Sequence, residues 1–403
     1  MKQSLNLSYS AIQGTYWMNY GAIMSFASVF LLGKNYTNSE IGMIIAAASI
    51  LAVVIQPLLA DAADRSSKVS LTDISGFITV GLIAATASLY FFTARTLVLS
   101  VIFVMIAAWL TSLQPLIYSM AFYLGRSGHR INFGVTRSAG SVAYAVFCAL
   151  LGPLVAILGV NVIPAASIVV LILLLISLAV TGKLYKRAIS AGPADPGVKT
   201  AAQDGETIGL KAFVTRNKFF IVFTVGVVFV FFQNSVLNTY LLQVVTAVGG
   251  TSGQMGRLYA FMALLELPGL IWFSRLRKKF SCQSMLKFAS AAFIGKVFLT
   301  YAATSVAFIY GAFLLQLVSF PIFLTASVHL VDEVMEKGEA VKGQAFITGM
   351  FTLSNVFASL LGGVILDHSG APLLLLVSTA LCAMGTLIVF VTVGKIRPKG
   401  DGR

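Results

Sequence analysis

The sequence predicts an all-α multi-pass membrane protein with twelve transmembrane helices arranged as two six-helix bundles. Of its 403 residues, 58% are apolar and 10% are charged, and the mean hydropathy is +0.91. A soluble protein of this length carries roughly a quarter charged residues, so the composition excludes an ordinary water-soluble enzyme. The number and spacing of the apolar runs predict the helix count.

A membrane-spanning helix needs about 20 mostly apolar residues. In the first half of the chain, runs of this kind cover residues 8–33, 38–60, 71–93, 97–123, 131–158 and 162–181. In the second half they cover residues 219–246, 256–273, 285–303, 305–331, 343–366 and 371–394. Each run predicts one helix.

One long polar stretch, residues 182–218, separates the two sets of runs. Its seven Lys and Arg, three acids and the turn-rich run Ala191–Gly197 are typical of a solvated linker. We therefore expect an N-terminal bundle over 1–181, a cytoplasmic linker over 182–218, and a C-terminal bundle with a short basic tail over 219–403. This layout is that of a transporter built from parallel repeats; a channel or a membrane-embedded enzyme is the alternative.

Basic residues are concentrated in alternate connections between the predicted helices. Residues 61–68, 125–130 and 274–279 contain two, two and four Lys or Arg residues, whereas 158–161 and 367–370 contain none. The positive-inside rule places the basic set in the cytoplasm, together with both termini, in a plasma (bacterial inner) membrane. The net charge of +14 is then an orientation signal and gives no indication of nucleic-acid binding.

The sequence gives no indication of a cofactor, a metal site or a catalytic centre. Cys148, Cys282 and Cys382 are far apart and lack metal-ligand spacing. Phosphate-binding Gly-rich loops and the HExxH and GxSxG motifs are also absent from the sequence. We expect no enzyme activity and no cofactor. The expected partners are a small-molecule substrate, protons and the lipid bilayer, and the chain is expected to be a monomer.

Residues 56–65, between the second and third predicted helices, resemble the loop signature of the major facilitator superfamily. That signature has a Gly-x-Leu-Ala-Asp core followed by a Gly and basic residues; here Pro57 and Asp64 stand where the glycines are usual. Asp61 can pair with basic residues such as Arg65 or cap a neighbouring helix, which assigns both residues to conformational gating. Ordinary loop charge is the alternative.

Four further segments resemble the lactose permease branch of that superfamily, the oligosaccharide:proton symporters. They are Asn132–Tyr144, Glu266–Pro268, Lys296, and Lys342–Ala345 ahead of Leu360–Gly363. The resemblance implies the major facilitator fold, alternating access and proton symport.

Three residues match substrate-binding places of the permease. Arg137 stands at a sugar-binding arginine, Tyr144 at a ring-stacking aromatic residue, and Tyr118 or Ser119 falls where the permease has a carboxylate. A guanidinium can donate two parallel hydrogen bonds, and an aromatic ring offers a stacking face. The resemblance thus implies substrate contact. Alternatively, Arg137 snorkels to the cytoplasmic surface as orientation charge.

Glu266 and Lys296 are the charged residues well inside the predicted spans of the second half. A charge in hydrocarbon is costly, so each is expected to face the protein interior and to find a partner. Their predicted depths of about 11 and 17 Å allow an ion pair. Because Lys296 also matches a permease arginine that assists deprotonation of the coupling acid, we assign the pair to proton coupling. A static salt bridge is the alternative.

Polar residues inside the first helix of each half are candidates for lining the substrate site. They are Tyr16, Asn19 and Tyr20 in the first half, and Gln233, Asn234 and Asn238 in the second. The pairs 16/20 and 234/238 each share a helix face. Amides and phenols suit a hydroxylated or amide-bearing solute. Interhelical hydrogen bonding, which is common for Asn and Gln in membranes, is the alternative.

Taken as a whole, the sequence predicts a secondary active transporter of a small polar organic solute, such as a sugar, a glycoside or a nucleoside-like compound, with proton symport. The 30 Phe and 12 Met residues leave a proton-coupled exporter of amphipathic drugs or metabolites as the second hypothesis. A non-transporting membrane receptor is the third. The buried charges argue against it, since an inert scaffold gains little from charges in lipid.

Overall fold

The structure is a computed structural model that describes residues 2–65, 70–125, 131–190, 209–336 and 339–396. These residues form helices and contain no strand, which confirms the predicted all-α fold class. Within the same ranges, nine helical stretches are long and apolar enough to cross a membrane, by length and composition. The chain is therefore a multi-pass membrane protein, and the number of twelve spans stays a prediction.

The helices follow the apolar runs of the sequence. In the first half they are α1 (Lys2–Tyr20), α2 (Ala27–Gly33), α3 (Asn38–Arg65), α4 (Leu71–Ser88), α5 (Leu97–Gly125), α6 (Phe133–Leu158) and α7 (Val162–Ser190). In the second half they are α8 (Leu210–Arg216), α9 (Lys218–Thr239), α10 (Leu241–Ala247), α11 (Ser252–Leu276), α12 (Cys282–Tyr301), α13 (Val306–Phe313), α14 (Phe320–Val334) and α15 (Ala340–Thr392).

Two of the predicted spans contain an irregular turn in their middle. A π-helical turn, Gly21–Ser25, joins α1 to α2, and a 3-10 turn, Leu314–Leu317, follows α13. Pro321 stands in the first turn of α14, where its missing N–H requires no partner. Irregular turns inside membrane helices frequently mark functional sites.

The boundaries differ most from the sequence prediction at two places. Helix α7 continues to Ser190 and α8 forms near residue 210, so both ends of the predicted linker are helical, while residues 191–208 lie outside the described ranges. Helix α15 runs through two predicted spans, but at Gly370 φ is 74° and ψ is −176°. Side chains with a Cβ avoid this conformation, so the glycine permits the break between the two helical segments.

Side-chain caps begin the helices that carry the candidate site residues. The Asn132 side chain accepts a hydrogen bond from Val135 N at 3.2 Å and starts α6, which places Arg137 in its second turn. The Ser281 hydroxyl accepts one from Ser284 N at 3.2 Å and starts α12, which carries Lys296 in its interior.

The chain forms two compact units. The first comprises Met1–Thr200 and Thr251–Ala263, and the second comprises Ala201–Gly250 and Leu264–Arg403, so α11 contributes its first part to one unit and its remainder to the other. In the first unit α1 packs against α6 and α7, α3 against α5, and α4 against α7. In the second unit α9 packs along α15, and α12 lies against α14 and α15.

Glycines allow close backbone contact inside each unit. In the first unit a Cβ on Gly256 would overlap the carbonyl oxygen of Cys148 and lie 3.0 Å from the Cα of Gly152. In the second unit a Cβ on Gly385 would lie 2.7 Å from the carbonyl oxygen of Gly226. Small residues of this kind permit tight helix packing where lipid supplies no hydrophobic driving force.

Candidate functional site

Two hydroxyl groups hold Arg137 in the first unit. Its Nε donates to the Tyr118 hydroxyl at 3.0 Å, and its Nη1 donates to Ser141 Oγ at 2.8 Å. Gln114 Nε2 donates to the same Tyr118 hydroxyl at 3.2 Å. An arginine has five N–H donors, so within the described ranges these two bonds leave three for a ligand. The side chain is half-buried and oriented by protein contacts.

Aromatic rings surround the Arg137 guanidinium. Its central carbon lies 4.0 Å from the centroid of the Trp17 ring, a cation–π contact. The Tyr16 and Tyr20 rings lie 5.5 and 5.1 Å from Trp17. We call Arg137, Tyr118, Trp17, Tyr16 and Tyr20 the arginine cluster. It combines a cationic hydrogen-bond donor with the faces of planar rings.

Tyr144 lies against the π-helical turn of the first unit. Its hydroxyl is hydrogen-bonded to Ser25 Oγ at 2.8 Å, and its ring lies 3.3 Å from the place of a Cβ on Gly21. The ring against the Arg137 guanidinium is that of Trp17. Tyr144 packs instead on the backbone of the turn and on the small residues Ala145 and Ala260.

Tyr16 and Asn19 connect α1 to neighbouring helices. The Tyr16 hydroxyl donates to the Leu110 carbonyl at 3.3 Å, and Asn19 Oδ1 accepts from Ser167 Oγ at 2.6 Å. These are interhelical hydrogen bonds, the role that the sequence left open as an alternative. Asn19 Nδ2 is buried and has no hydrogen-bond partner among the described residues.

A buried polar network links the two charged residues of the second unit. Lys296 Nζ donates to Gln316 Oε1 at 2.9 Å, and Gln316 Nε2 donates to Glu266 Oε1 at 2.9 Å. Asn234 Oδ1 lies 3.5 Å from Lys296 Nζ. The amide of Gln316 thus presents its oxygen to the ammonium group and its nitrogen to the carboxylate. We call Lys296, Gln316, Glu266 and Asn234 the amide relay.

The surroundings of the amide relay are apolar. Lys296 is fully buried, with 0% of its surface exposed, and its Nζ lies 5.0 Å from the centroid of the Phe293 ring. The rings of Phe231 and Phe323 pack against Phe293 at 5.6 and 6.0 Å. Electrostatic interactions are strong in such a region, and an unpaired charge is correspondingly costly.

The remaining candidates of the second unit are Gln233 and Asn238 on α9. Gln233 is buried, and its Nε2 donates to the carbonyl of Val230 in its own helix at 3.4 Å. Its Oε1 has no hydrogen-bond partner within the described ranges. Asn238 is exposed at the end of α9.

The predicted gating residues lie at the end of α3. Helix α3 continues through Asp61 to Arg65, and Asp61 is exposed. The side chain of Arg65 lies outside the described part of the structure. A gating role for both residues stays a prediction.

Trp17 and Gln316 are contact residues that were not among the site residues predicted from the sequence. Trp17 stands between the predicted residues Tyr16 and Asn19, and a tryptophan beside two tyrosines in one span is the signal that could have found it. Gln316 is a polar residue in an apolar run ahead of Pro321, in the 3-10 turn after α13. Among the described residues, no group of three His, Cys, Asp or Glu side chains could hold a metal ion.

The chain is similar to known proteins in its family and in its fold. The model of the MFS_1 like family matches residues 9–377. The solved structure of the nucleoside transporter NupG has a TM-score of 0.73 at 13% identity, over 97% of this chain and 98% of that chain. The POT family transporter PepTSo has a TM-score of 0.71 at 10% identity, over 97% of both chains.

A bacterial homologue of the human lysosomal transporter Spinster has a TM-score of 0.66 at 14% identity, over 98% of this chain and 97% of that chain. No curated protein sequence matches this chain. Since all three identities are low, these structural similarities describe the fold alone.

Proposed function

The chain belongs to the MFS_1 like family of membrane transporters, and from this premise we propose that it moves a small polar organic solute by alternating access with proton symport. The family match confirms the resemblance to the major facilitator superfamily and makes the chain a secondary transporter, whereas the lactose permease branch stays a prediction. The proposed solutes are sugars, glycosides and nucleoside-like compounds. NupG, a nucleoside transporter of the same fold, supports the last of these.

The arginine cluster is the observation that carries the substrate proposal. Tyr118 and Ser141 orient the Arg137 guanidinium while three of its N–H donors remain for a ligand. Hydroxyl or carbonyl oxygens of a solute can accept these bonds, and aromatic rings can stack on a sugar face or a nucleobase. Because the guanidinium is already oriented before binding, less entropy is lost when the ligand binds.

The charge of Arg137 also distinguishes the proposed solutes from cationic drugs. A cation in the arginine cluster would stand beside a guanidinium, and like charges at a binding surface cost several kcal/mol. We therefore favour a neutral polar solute over the export of cationic amphipathic compounds.

The amide relay supports proton coupling in the second unit. Glu266 is half-buried and accepts a hydrogen bond from Gln316, which is in turn bound by Lys296. A carboxyl group in such surroundings can exchange a proton when its partners move. The proposal assigns the coupling proton to Glu266, with Lys296 favouring its charged form.

A thermal-shift screen of the purified protein tests the substrate class. A ligand raises the unfolding temperature of the state that it binds, so we expect stabilisation by sugars or nucleosides and none by cationic drugs. Arg137→Lys keeps the positive charge and loses the planar guanidinium with its parallel donors. The ligand concentration needed for the same rise in unfolding temperature should increase about tenfold or more. Arg275→Lys, at an exposed position in the last turn of α11, is the matched control. Stabilisation by cationic drugs alone would contradict the proposal.

Uptake into proteoliposomes tests the coupling. In the native protein a protonophore should abolish accumulation of the solute identified by the screen. Glu266→Gln should remove this sensitivity and leave passive exchange, whereas the exposed Glu336→Gln should behave like the native protein. If accumulation by Glu266→Gln still responds to the protonophore, the carboxylate does not carry the proton.

We also propose that the chain is a monomer in the plasma membrane with both termini in the cytoplasm. The basic connections 61–68, 125–130 and 274–279 support this orientation by the positive-inside rule. A reporter enzyme active only in the cytoplasm should be active when fused to either terminus. Activity of a periplasmic reporter at the C-terminus would reverse the orientation.

A further inference from the structure

A groove lies between α3 and α5 in the first unit, with a volume of about 780 Å³. Its walls are apolar and include Met43, Ile44, Ala47 and Leu51 from α3, and Val104 and Met105 from α5. Small-molecule sites range from roughly 300 to 1,000 Å³, so the groove can hold a substantial part of an organic molecule.

One end of the groove carries opposite charges. Arg95 Nη1 donates to Glu40 Oε1 at 3.0 Å and to Oε2 at 3.2 Å, while Thr37 N also donates to Oε2 at 2.8 Å and fixes the carboxylate. The side chains of Arg95 and Glu40 are 55% and 32% exposed. The Nε and Nη2 donors of Arg95 have no hydrogen-bond partner in the described ranges. The charged end can therefore bind a further polar group.

Exposed apolar side chains line the open side of the groove. Leu97 is 81% exposed, and Met43 and Val101 are each 55% exposed, all three lining the groove. Exposed apolar residues on a membrane helix contact lipid chains, because hydrocarbon fills the space that water fills around a soluble protein. A molecule from the bilayer can therefore enter sideways, with its polar end at the Arg95–Glu40 pair.

We propose that this groove binds an aminophospholipid of the surrounding bilayer. The phosphate accepts hydrogen bonds from the unused donors of Arg95, the primary ammonium donates to Glu40, and an acyl chain lies along the walls of α3 and α5. A headgroup with both charges matches a protein pair that carries both charges. A purely anionic headgroup gains less, because Glu40 compensates Arg95 and would face the lipid phosphate.

Lipid binding to the purified full-length chain tests this proposal, with native mass spectrometry as the measurement. The probes are phosphatidylethanolamine, phosphatidylcholine and phosphatidylglycerol with identical acyl chains. Phosphatidylcholine has no N–H on its headgroup and cannot donate to Glu40. A hydrogen bond to a charged group corresponds to about tenfold or more in affinity, so we expect phosphatidylethanolamine to bind about tenfold more tightly than either other lipid.

Substitutions at the charged end should separate the two headgroup contacts. Glu40→Gln should remove the preference for phosphatidylethanolamine over phosphatidylcholine. Arg95→Gln should weaken both lipids about tenfold. Arg257→Gln removes an exposed charge that does not line the groove, and it should leave all three affinities unchanged.

Ala47→Phe tests the acyl-chain contact without altering the charges. It fills the apolar part of the groove and should weaken both zwitterionic lipids while leaving the unfolding temperature of the lipid-free protein within a few degrees. Equal binding of the three lipids, tighter binding of phosphatidylglycerol, or binding that survives both Arg95→Gln and Ala47→Phe would overturn the proposal. Because the measurement uses no transported solute, its outcome is independent of the proposed transport function.

Discussion

Replacing Gln316 by Leu is the most direct test of the amide relay. The substitution keeps a side chain of similar size and removes two hydrogen bonds of 2.9 Å, one to the Lys296 ammonium and one to the Glu266 carboxylate. A hydrogen bond to a charged group contributes about 1.5–3 kcal/mol. The expected loss in the free energy of unfolding is therefore about 3–6 kcal/mol. The remaining oxygen close to the Lys296 ammonium, Asn234 Oδ1, is 3.5 Å away and compensates for little.

The assay is equilibrium unfolding of the purified protein in mixed micelles. A double-mutant cycle of Lys296→Met and Glu266→Gln is measured twice, with Gln316 present and with Gln316→Leu. If the amide transmits the interaction, the coupling energy of about 0.5–3 kcal/mol expected for residues in one network should fall toward zero in the second background. Gln344→Leu removes one hydrogen bond from an exposed amide to the Val328 carbonyl, and this control should cost about 1 kcal/mol or less.

An unchanged coupling energy in the Gln316→Leu background would refute the reasoning. Lys296 and Glu266 would then interact directly through space, as the sequence-based ion pair supposes. A loss of stability no larger than that of Gln344→Leu would also refute it, because the relay would then contribute no more than an exposed hydrogen bond.

Two further predictions concern packing and the helix ends. Gly256→Ala places a Cβ against backbone and should destabilise the protein by about 1–3 kcal/mol, whereas Gly349→Ala, with nothing within 4 Å, should be neutral or slightly stabilising in thermal unfolding. Lys34, which follows α2, donates to Phe92 O and Asn161 Oδ1, both at 2.9 Å, so Lys34→Met should cost about 1–3 kcal/mol near neutral pH. Burial lowers the pKa of Lys34 from its ordinary value of 10.5, so the unfolded chain binds the Lys34 proton more strongly than the folded chain does. The free energy of unfolding of the native protein should therefore rise relative to that of Lys34→Met as the pH approaches 10.5. A flat difference between the two proteins over that range would contradict the last prediction.

The sequence predicted the helical elements because they depend on local properties. A helix must satisfy its own backbone in lipid, so a run of about 20 apolar residues predicts a span wherever it occurs. The caps at Asn132 and Ser281 are likewise local, since each side chain bonds to an N–H three residues along the chain. The continuation of α7 to Ser190 was not predicted, because its last turns are polar enough to resemble a linker.

The side-chain partners depend on how helices distant in the sequence are rotated against one another. Arg137 was a candidate from the sequence and Trp17 was not, and the rotation of α1 against α6 places the Trp17 ring against the Arg137 guanidinium. Glu266 and Lys296 were expected to form a pair, and the structure places Gln316 between them because a 3-10 turn brings its amide to that point. The sequence of an apolar run does not indicate this rotation, since every side of the helix is compatible with lipid or with the protein interior.

By itself the sequence determined that the chain is an all-α membrane protein, along with the segments of its helices and the charged residues that must find partners. These follow from hydrophobicity and from the cost of unsatisfied polar groups, which act residue by residue. The tertiary structure decided which aromatic ring covers Arg137, which amide joins Lys296 to Glu266, and that α3 and α5 leave a groove ending at Arg95 and Glu40. Each of these features depends on contacts between side chains on different helices, and only the packing of those helices brings the side chains together.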